Sequence, residues 1–262
     1  MKKIVYLSSL YDFETYRKFC EDNIIPIQAA NKYHRLLCDG LKKNGADVKT
    51  MCILPIPHHS IKRLIFPKHI THNSIRYNYV GTINLSFLKH ILFFLNSFFS
   101  ILFSSRKCIL LFDGLIISAS YGAVLAAKIR RIKSVAILTD LPDYMDVARK
   151  NTGLRINNKL LKKADGFVFL TEEMNHRINT KNKPHIVVEG QVDSAFQYDY
   201  KPSKETNIKK IVYAGSIEKG YGLDMLCKAF DNIHCNDEEL HIYGGGAFNS
   251  ELMNLFRDTK CI

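Results

Sequence analysis

The sequence predicts an α/β protein in which a doubly wound parallel sheet is followed by the first strands and helices of a second sheet. Three observations support this fold class. Short runs rich in β-branched and aromatic residues alternate with helical segments over residues 1–196. The polar segment 197–208 contains Pro202 and shows no apolar periodicity. The strand–helix alternation then starts again. Apolar strands separated by helices are typical of parallel sheets covered on both faces.

The first predicted domain comprises residues 1–196. Its strands are predicted at 3–8, 48–54, 108–112, 134–139, 166–170 and 185–188, and its helices at 27–43, 85–105, 118–132, 154–163 and from Glu172 onward. The strands are continuous apolar runs, and the helices carry apolar residues at three- and four-residue spacing. Pro55, Pro57 and Pro67 predict a loop between the second strand and the helix at 85–105.

The second predicted domain comprises residues 209–262 and follows a linker at 197–208. Its predicted elements are a strand at 210–214, a glycine-bearing loop at 215–222, a helix at 223–233, a strand at 240–243, a glycine loop at 244–246 and a helix from about residue 248. A two-stranded parallel unit is marginal alone, because it cannot bury both of its faces well. We therefore expect residues 209–262 to be an incomplete domain.

Charge is distributed unevenly along the chain. The 262 residues contain 37 Lys and Arg against 25 Asp and Glu, a formal net charge of +12. Residues 201–262 contain eight basic and nine acidic residues, so the whole excess lies in the first 200. No Asp or Glu occurs between Asp47 and Asp113. This balance indicates an anionic partner, and a nucleic acid, a membrane surface or a phosphorylated ligand would each satisfy it.

The apolar segment 85–105 favours a membrane surface among these partners. Its polar residues recur at near-helical spacing and leave a narrow polar stripe on an apolar helix. Polar residues interrupt the segment, so a transmembrane span is the least favoured interpretation. Two interpretations stay open, a buried core helix and an interfacial helix that also meets lipid. The basic residues predicted to face the membrane are Lys62, Arg63, Lys68, Arg76 and Lys89.

The N-terminus and the cysteines set the expected compartment. The first apolar run is too short for a signal peptide and is soon followed by Asp12 and Glu14. The seven cysteines are scattered without a C-x-x-C pair, so we expect neither a disulfide framework nor a zinc site. The histidines at 58, 59, 69 and 72 lack local acidic or cysteine partners, and we interpret them as part of a solvated basic loop. We expect a cytoplasmic protein, peripheral on the inner face of the membrane.

Two glycine loops follow the two strands of the second domain. They are Gly215-Ser-Ile-Glu-Lys-Gly-Tyr-Gly222 and Gly244-Gly245-Gly246. Loops at the carboxyl ends of neighbouring strands line the crevice where open α/β sheets bind ligands. Glycine lets the backbone approach a ligand closely, and backbone N–H groups beside a helix N-terminus can hold a phosphate. The spacing matches neither the dinucleotide-binding pattern nor the P-loop, so neither an oxidoreductase nor an ATPase is favoured.

The run from Lys210 to Gly245 contains a strand, a glycine loop, a helix ending in Ala229-Phe230, a second strand and a second glycine loop. This run resembles the start of the donor domain of GT-B glycosyltransferases of the family-4 type. The segments Thr139-Asp-Leu-Pro142, Ala164-Asp-Gly-Phe-Val-Phe-Leu-Thr171 and Val187-Val-Glu-Gly190 are similar to that family's N-terminal domain. The resemblance implies a Rossmann-like acceptor-side domain followed by a nucleotide-sugar domain that is truncated at its carboxyl end.

The resemblance implies transfer of a sugar from a nucleotide-activated donor, usually with retention and without a metal or other cofactor. Helix N-termini, backbone N–H groups and cations would stabilise the leaving diphosphate. Where many members carry Arg and Lys, this chain has Ser216 and Tyr221, and Lys219 is the nearby cation. The implied donor-binding residues are Gly215, Ser216, Lys219, Tyr221, Gly222, Gly244, Gly245 and Gly246.

Three further candidates follow strands of the first domain. Asp140 stands where the family often has a histidine near the donor. It is the candidate catalytic residue, either accepting a hydroxyl proton or orienting a sugar hydroxyl, and its alternative role is to cap a turn before Pro142. Tyr11 and Asp113 are the acceptor-side candidates, and a helix-cap or turn role is the alternative for Asp113.

The implied function is transfer of a sugar to a lipid-linked or other saccharide acceptor in cell-surface polysaccharide biosynthesis, at an anionic membrane surface. Two alternatives stay open. The chain could be a truncated or split, non-catalytic subunit that needs a second chain to complete the donor site. It could instead be a basic nucleic-acid-binding protein, which is disfavoured because no helix-turn-helix, RNP or zinc pattern is present.

Overall fold

The computed structural model describes residues 2–21, 28–56, 63–73, 75–144, 151–193, 208–233 and 237–256. The chain divides into two compact units, Met1–Ala195 and Phe196–Ile262. All but one residue of the predicted linker at 197–208 lies outside the described part, so its boundaries stay a prediction.

The first unit contains both strands and helices. Its strands are β1 (Lys3–Ser8), β2 (Asp47–Cys52), β3 (Ile65–Phe66), β4 (His69–His72), β5 (Arg76–Tyr79), β6 (Thr82–Ile83), β7 (Cys108–Asp113), β8 (Lys133–Leu138), β9 (Gly166–Phe169) and β10 (His185–Val187). Its helices are α1 (Phe13–Glu21), α2 (Gln28–Lys43), α3 (Ser86–Leu102), α4 (Ile117–Arg130), α5 (Asn151–Leu161) and α6 (Glu172–Ile178).

The main sheet has the described strand order β10-β9-β8-β7-β1-β2-β5-β4. Its neighbours pair in parallel except β4 and β5, which are antiparallel. The predicted doubly wound parallel sheet is therefore confirmed, with one antiparallel strand at its edge. The chain passes from β1 to β2 on one side and later returns to β7 on the other. The carboxyl ends of β1 and β7 thus form the topological switch point, where such sheets bind ligands.

Alternating side chains of the strands enter two cores on opposite faces of the sheet. Val5 and Leu7 point toward the face covered by α3, α4 and α5, whereas Ile4 and Tyr6 point toward the face covered by α1 and α2. Because both faces are covered, residues of both orientations are apolar. This double burial explains why the central strands are continuous apolar runs in the sequence.

The helices α3 and α4 lie side by side on one face. Nδ1 of His90 lies 3.3 Å from Oγ of Ser118 near their first turns. Farther along, a Cβ at Gly122 would lie only 2.3 Å from the carbonyl oxygen of Phe94. The small residues of α4 thus permit close contact with a neighbouring helix, in addition to the sheet contact expected from the sequence.

The helix α1 was not predicted from the sequence. Phe19 is the residue that the helix buries. Two i, i+4 ion pairs lie on its exposed surface, Lys18 with Glu14 at 2.8 Å and Arg17 with Glu21 at 3.5 Å. Phe13, Tyr16, Phe19 and Cys20 recur at helical spacing, and these ion pairs together with docking of Phe19 support so short a helix.

The prediction of a loop between the second strand and α3 is wrong for the residues that the structure describes there. The strands β3, β4, β5 and β6 lie there. The antiparallel pairing of β4 with β5 places Tyr77 and Tyr79 in the core and leaves Arg76 exposed. Pro67 lies between β3 and β4 and prevents neither strand, since Pro is tolerated beside edge strands.

The second unit contains the parallel pair β11 (Lys209–Ala214) and β12 (Glu238–Tyr243) with the helices α7 (Leu223–Ile233) and α8 (Asn249–Leu255). Both helices pack on one face, around Leu240, with Cys227 and Phe230 contributed by α7. Val212 and Tyr243 are exposed on the strands. The predicted strand–loop–helix order of this region agrees with the structure.

Candidate functional site

Three predicted site residues lie at the carboxyl edge of the main sheet. Tyr11 follows β1, Asp113 ends β7 and Asp140 follows β8, and these strands are neighbours in the order β8-β7-β1. The topology therefore brings residues from distant parts of the sequence to one edge. Because β1 and β7 flank the switch point, Tyr11 and Asp113 lie where doubly wound sheets place ligands.

Tyr11 is held firmly in the loop between β1 and α1. Asn31 of α2 accepts a hydrogen bond from the backbone N–H of Tyr11 over 3.0 Å and donates one to its carbonyl oxygen over 3.1 Å. The buried ring is parallel to Tyr16, with centroids 6.3 Å apart, and meets Phe19 edge-on at 6.4 Å. Burial raises the pKa of Tyr11 to about 12, so its hydroxyl stays protonated at neutral pH.

Asp12, the next residue, joins the switch point to the start of α1. Its Oδ1 atom accepts a hydrogen bond from the backbone N–H of Thr15 over 2.8 Å, an N-cap interaction. Its own backbone N–H donates to the hydroxyl of Tyr79 over 2.9 Å. Burial raises the pKa of Asp12, but hydrogen bonds involving Thr15 and Tyr79 outweigh burial and hold the pKa below its ordinary value.

A cavity of about 460 Å³ opens beside this loop. Its lining residues are Tyr11, Asp12, Phe13, Tyr16, Asn31, Lys32, Arg35, Asn73 and Tyr77. The guanidinium of Arg35 lies 3.6 Å from Asp39 and 3.0 Å from Asp193, so its charge is balanced within the protein. Aromatic rings beside amide and ammonium groups can stack on the apolar face of a ligand and hydrogen-bond its polar groups.

Asp113 belongs to a buried polar array that the sequence analysis missed. The hydroxyl of Tyr6 lies 2.7 Å from Nδ1 of His34. Nε2 of His34 lies 3.2 Å from Oδ2 of Asp113, although the two are not aligned for a hydrogen bond. Burial raises the pKa of Tyr6 well above its ordinary value. The four-residue spacing of His34 and the buried Cys38 on α2 is the signal that could have placed His34 inside.

Asp113 and Asp140 have opposite environments. Asp113 is buried, and its Oδ1 accepts a hydrogen bond from the backbone N–H of Leu115 over 2.8 Å. This is the turn role that was its alternative. Asp140 is exposed, and its Oδ1 accepts from the backbone N–H of Leu141 over 2.7 Å, just before a short 3-10 helix at 142–144. Its turn role is thus present, and its catalytic role stays a prediction.

The two predicted glycine loops lie against each other in the second unit. The backbone N–H groups of Gly215 and Ile217 donate to carbonyl oxygens of the other strand and loop, each over 3.0 Å. A Cβ at Gly244 would lie 1.8 Å from the Gly215 oxygen, and one at Gly246 would lie 2.1 Å from the Ile217 oxygen. Loop–loop contact by itself requires these two glycines, and their approach to a ligand stays a prediction. Gly245 has open space beside it.

Lys219 and Tyr221 lie in a short 3-10 helix between β11 and α7. Nζ of Lys219 lies 3.1 Å from Oε1 of Glu251 on α8 and 5.7 Å from the ring centre of Phe248. Tyr221 is exposed. Gly222 follows with a φ of 71°, a left-handed conformation that glycine adopts easily and that turns the chain into α7. Lys219 is therefore near the glycine loops but already paired with a carboxylate.

The electrostatics of these loops are mixed. Ser216 is exposed, and its carbonyl oxygen accepts a hydrogen bond from the Tyr213 hydroxyl over 2.9 Å. The N-terminus of α7 offers the positive end of a helix dipole, but Asp224 adds a carboxylate in the first turn. A diphosphate here would be held by N–H groups and the dipole rather than by a surplus of cationic side chains.

The residues predicted to face a membrane have different environments. Arg63, Lys68 and Arg76 are exposed, whereas Lys62 lies outside the described residues. The prediction for Lys89 is wrong. Its side chain is buried, Nζ donates to the carbonyl oxygen of Ile56 over 2.8 Å, and burial lowers its pKa. Lys89 lies on the inner face of α3 and points into the protein.

None of the described helices combines the length and hydropathy that crossing a bilayer would need. In the same part of the chain, no three His, Cys, Asp or Glu residues lie together as metal ligands would. His69, expected in a solvated loop, lies instead in β4, where its ring stacks on Tyr79 at 4.3 Å.

Known proteins resemble this chain in structure but not in sequence. No protein-family model matches it, and a search of curated proteins gives no match. Among solved structures, a trehalose-6-phosphate protein from E. coli bound with UDP-2-fluoro glucose has a TM-score of 0.60 at 9% identity, covering 98% of this chain and 69% of that one. The catalytic domain of starch synthase IV from Arabidopsis thaliana, bound to ADP and acarbose, has a TM-score of 0.59 at 8% identity, covering 100% and 73%.

A third structure, the apo form of the lipopolysaccharide outer core galactosyltransferase WaaB, has a TM-score of 0.55 at 14% identity and covers 99% of this chain and 67% of that one. These proteins have the GT-B architecture, a mixed α/β fold with parallel sheets. The chain therefore has a GT-B-like fold. At these identities the likeness establishes the architecture alone.

Proposed function

We propose that this chain is a glycosyltransferase that moves a sugar from a nucleotide-sugar donor to a saccharide or lipid-linked acceptor in cell-surface polysaccharide biosynthesis. The observation that carries the proposal is the fold likeness, which extends over nearly the whole chain. Two of the similar proteins were solved with a nucleotide or nucleotide-sugar ligand, and a third is a galactosyltransferase. The nucleotide sugar is a substrate in this proposal, and no further cofactor is assigned.

The proposal assigns the donor to the second unit. Gly215 and Gly245 lie in loops that follow neighbouring parallel strands, and the N-terminus of α7 follows the first loop. As the sugar departs, negative charge develops on the diphosphate, and fixed N–H dipoles aimed at it lower the barrier. Gly245, like Gly220 in the other loop, is a glycine that neighbouring atoms leave unexplained, because a Cβ there would meet nothing within 4 Å.

The proposal assigns the acceptor to the first unit. Tyr11 and the aromatic and amide groups around it line the cavity at the switch point, and they suit a saccharide. Asp140 supplies an exposed carboxylate two strands away from β1 on the same edge. In this assignment Asp140 orients an acceptor hydroxyl or accepts its proton. The buried Asp113 has a structural role at the same edge of the sheet.

Membrane association completes the proposal. The absence of acidic residues between Asp47 and Asp113 leaves the exposed Arg63, Lys68 and Arg76 without nearby opposing charge from their own segment. Each Lys or Arg near an anionic surface contributes about 1 kcal/mol of attraction. The proposed location is the inner face of the cell membrane, where lipid-linked acceptors would be reached.

A thermal-shift panel of UDP-, GDP- and ADP-sugars on this chain tests the proposal. A ligand at 100 times its Kd stabilises the folded protein by about 2.7 kcal/mol, which is a readily measured shift. We expect one nucleotide class to stabilise the protein, and Gly245→Val, which fills the open space in the loop, to remove that shift. If no nucleotide sugar stabilises the protein at millimolar concentration, the proposed function is rejected.

A second candidate is a glycosyltransferase subunit whose donor unit is completed by further polypeptide. Val212 and Tyr243 on the β11–β12 pair are exposed, although apolar strand residues are normally covered. In this case nucleotide sugars would stabilise the protein only after the completing polypeptide is added. Stabilisation of this chain by itself would exclude this candidate.

A further inference from the structure

The helix α3 buries one face in the protein and carries large apolar residues on its exposed face as well. Lys89, Phe93 and Ser97 follow one another at four-residue spacing on its buried face. The outer face carries the exposed Leu95 and Phe99 and is bordered by Phe87, which is 79% exposed, and by Phe103, which follows the helix and is 81% exposed. A helix that served only the core would carry mainly polar residues on its exposed face. The outer face is therefore suited to a second apolar environment.

The exposed apolar surface continues from α3 onto the neighbouring β3–β6 ribbon. Ile65 pairs with Ile83 across the ribbon, and the backbone N–H of Asn84 donates to the carbonyl oxygen of Leu64 over 2.7 Å. We call this surface the apolar strip, and its defining exposed residues are Leu64, Ile65, Phe87, Leu95, Phe99 and Phe103. Its α3 portion of 17 residues is about 25 Å long.

Cationic residues lie at both ends of the apolar strip. At one end is Arg63, whose guanidinium lies 5.3 Å from the ring centre of Phe66. At the other end Arg106 and Lys107 follow α3 and are exposed. The segment that forms the strip contains no Asp or Glu. An apolar strip bordered by cations complements an anionic bilayer, which offers acyl chains and negative headgroups together.

The same charges disfavour a second copy of this chain as the occupant. Two strips that faced each other would bring Arg63, Arg106 and Lys107 of both copies together. The segment has no carboxylate that could neutralise them. Like charges placed together across an interface oppose association.

We propose that α3 lies flat on an anionic bilayer, with its outer face at the boundary between headgroups and acyl chains. Phe87, Phe99 and Phe103 enter the acyl region, while Arg106 and Lys107 contact headgroups. This inference rests on the membrane part of the proposed function and names the surface that carries it. It is independent of the transfer chemistry. The helix axis runs along the membrane surface rather than across it.

Tryptophan fluorescence tests this placement directly, because the chain contains no Trp. Phe87→Trp and Phe103→Trp each introduce a single reporter at an exposed position of similar shape. With vesicles of phosphatidylglycerol and phosphatidylcholine, both emissions should shift to the blue and be quenched by brominated acyl chains. Ile186→Trp on β10, at an exposed position outside the strip, is the control and should not respond. Absence of a response from both strip reporters would overturn the proposal.

Vesicle cosedimentation separates the apolar and ionic contributions. Phe87→Ser with Phe103→Ser should weaken binding at least about tenfold, because two aromatic groups that enter the acyl region on binding are lost. Arg106→Gln with Lys107→Gln should weaken it about fivefold per residue, and only on anionic vesicles at low salt. Lys42→Gln with Lys43→Gln, on the helix that covers the opposite face, is the matched control. Equal binding to phosphatidylcholine alone would overturn the ionic part of the proposal.

Light scattering without lipid tests the competing occupant. A dimer that Phe103→Ser converts to a monomer would overturn the lipid proposal in favour of self-association. The thermal shift with nucleotide sugars, repeated on the strip variants, keeps the two proposals apart. Reporters that insert into vesicles while no nucleotide sugar binds would support the lipid surface and reject the transferase.

Discussion

Oδ2 of Asp113 lies 3.2 Å from Nε2 of His34, and both side chains are buried at the switch-point end of the main sheet. The hydroxyl of Tyr6 lies 2.7 Å from the other ring nitrogen of His34. The array thus connects α2 to β1 and β7 through polar groups inside an apolar core. A buried polar group without a partner destabilises the folded protein. Removal of one member of the array therefore lowers stability, because it leaves the remaining members with fewer polar partners.

Asp113→Ala should lower the free energy of unfolding by about 2–4 kcal/mol, because His34 and the backbone N–H of Leu115 lose a buried partner. Urea unfolding measures the change. Asp140→Ala is the control, and its effect should stay within about 1 kcal/mol, since the carboxylate is exposed. Equal losses for the two variants would contradict the structural role of Asp113.

Asp12 predicts a specific dependence of stability on pH. Its pKa is lowered in the folded protein, so the ionised form stabilises the fold above the unfolded value of about 3.9. This contribution is lost as the pH falls through the lowered folded pKa. Asp12→Asn should be less stable at pH 6 and should lose less stability between pH 5 and pH 2, as measured by urea unfolding. Glu14→Gln, at an exposed ion pair, should leave that slope nearly unchanged.

Gly122 and Gly40 offer a matched pair of helix glycines. Gly122→Ala should destabilise the protein by about 1–3 kcal/mol, because the new methyl group would meet the Phe94 backbone at 2.3 Å. Gly40→Ala has open space and should stabilise the protein by up to about 1 kcal/mol, through higher helix propensity. Thermal unfolding of both variants checks the predicted opposite signs.

Substitutions at Gly246 and Gly245 test which of the two glycines is needed for packing of the loops. Gly246→Ala should destabilise the second unit, since its Cβ would lie 2.1 Å from the carbonyl oxygen of Ile217, whereas Gly245→Ala should not. Limited proteolysis within residues 208–256 measures the difference. Equal protection of the two variants would show that the loop contact is dispensable.

Glu251 pairs with Lys219, the cation that the proposed donor site would use. Glu251→Gln releases Lys219 from a contact of 3.1 Å. It should strengthen nucleotide-sugar binding by up to about fivefold, the range expected of an exposed ion pair. Calorimetric titration checks this, and Lys219→Ala in the same background should remove the gain. An unchanged affinity would indicate that Lys219 serves only the surface of the second unit.

The central strands could be predicted from the sequence, whereas the edge of the sheet could not. The strands β1, β7 and β8 are buried on both faces, so their composition alone identifies them within one or two residues. The strands β3 to β6 are two to four residues long and lie among prolines and histidines. Their pairing depends on neighbours distant in sequence, which a local pattern does not contain.

The candidate site could likewise be predicted from the sequence only in part. The order of strands and loops predicted that Asp140 follows β8 and that the two glycine loops follow β11 and β12, and within one parallel sheet the residues at the carboxyl ends of the strands share an edge. The burial of Asp113, the partnership of Lys219 with Glu251 and the presence of His34 depend on side chains from other elements. None of these contacts has a signature in the local sequence.

The sequence by itself determined the α/β class, the order of the central strands and the helices between them, and the concentration of positive charge before residue 200. Only the tertiary structure decided which face of α3 is inside. That helix is apolar on most sides, so its periodicity does not select a face. Contact with α4 at Gly122 and the hydrogen bond from Lys89 to Ile56 select it, and they leave Phe87 and Phe103 outside. Hydrophobic burial is non-directional, and the inner face is therefore set by packing shape and by where a polar group can be satisfied.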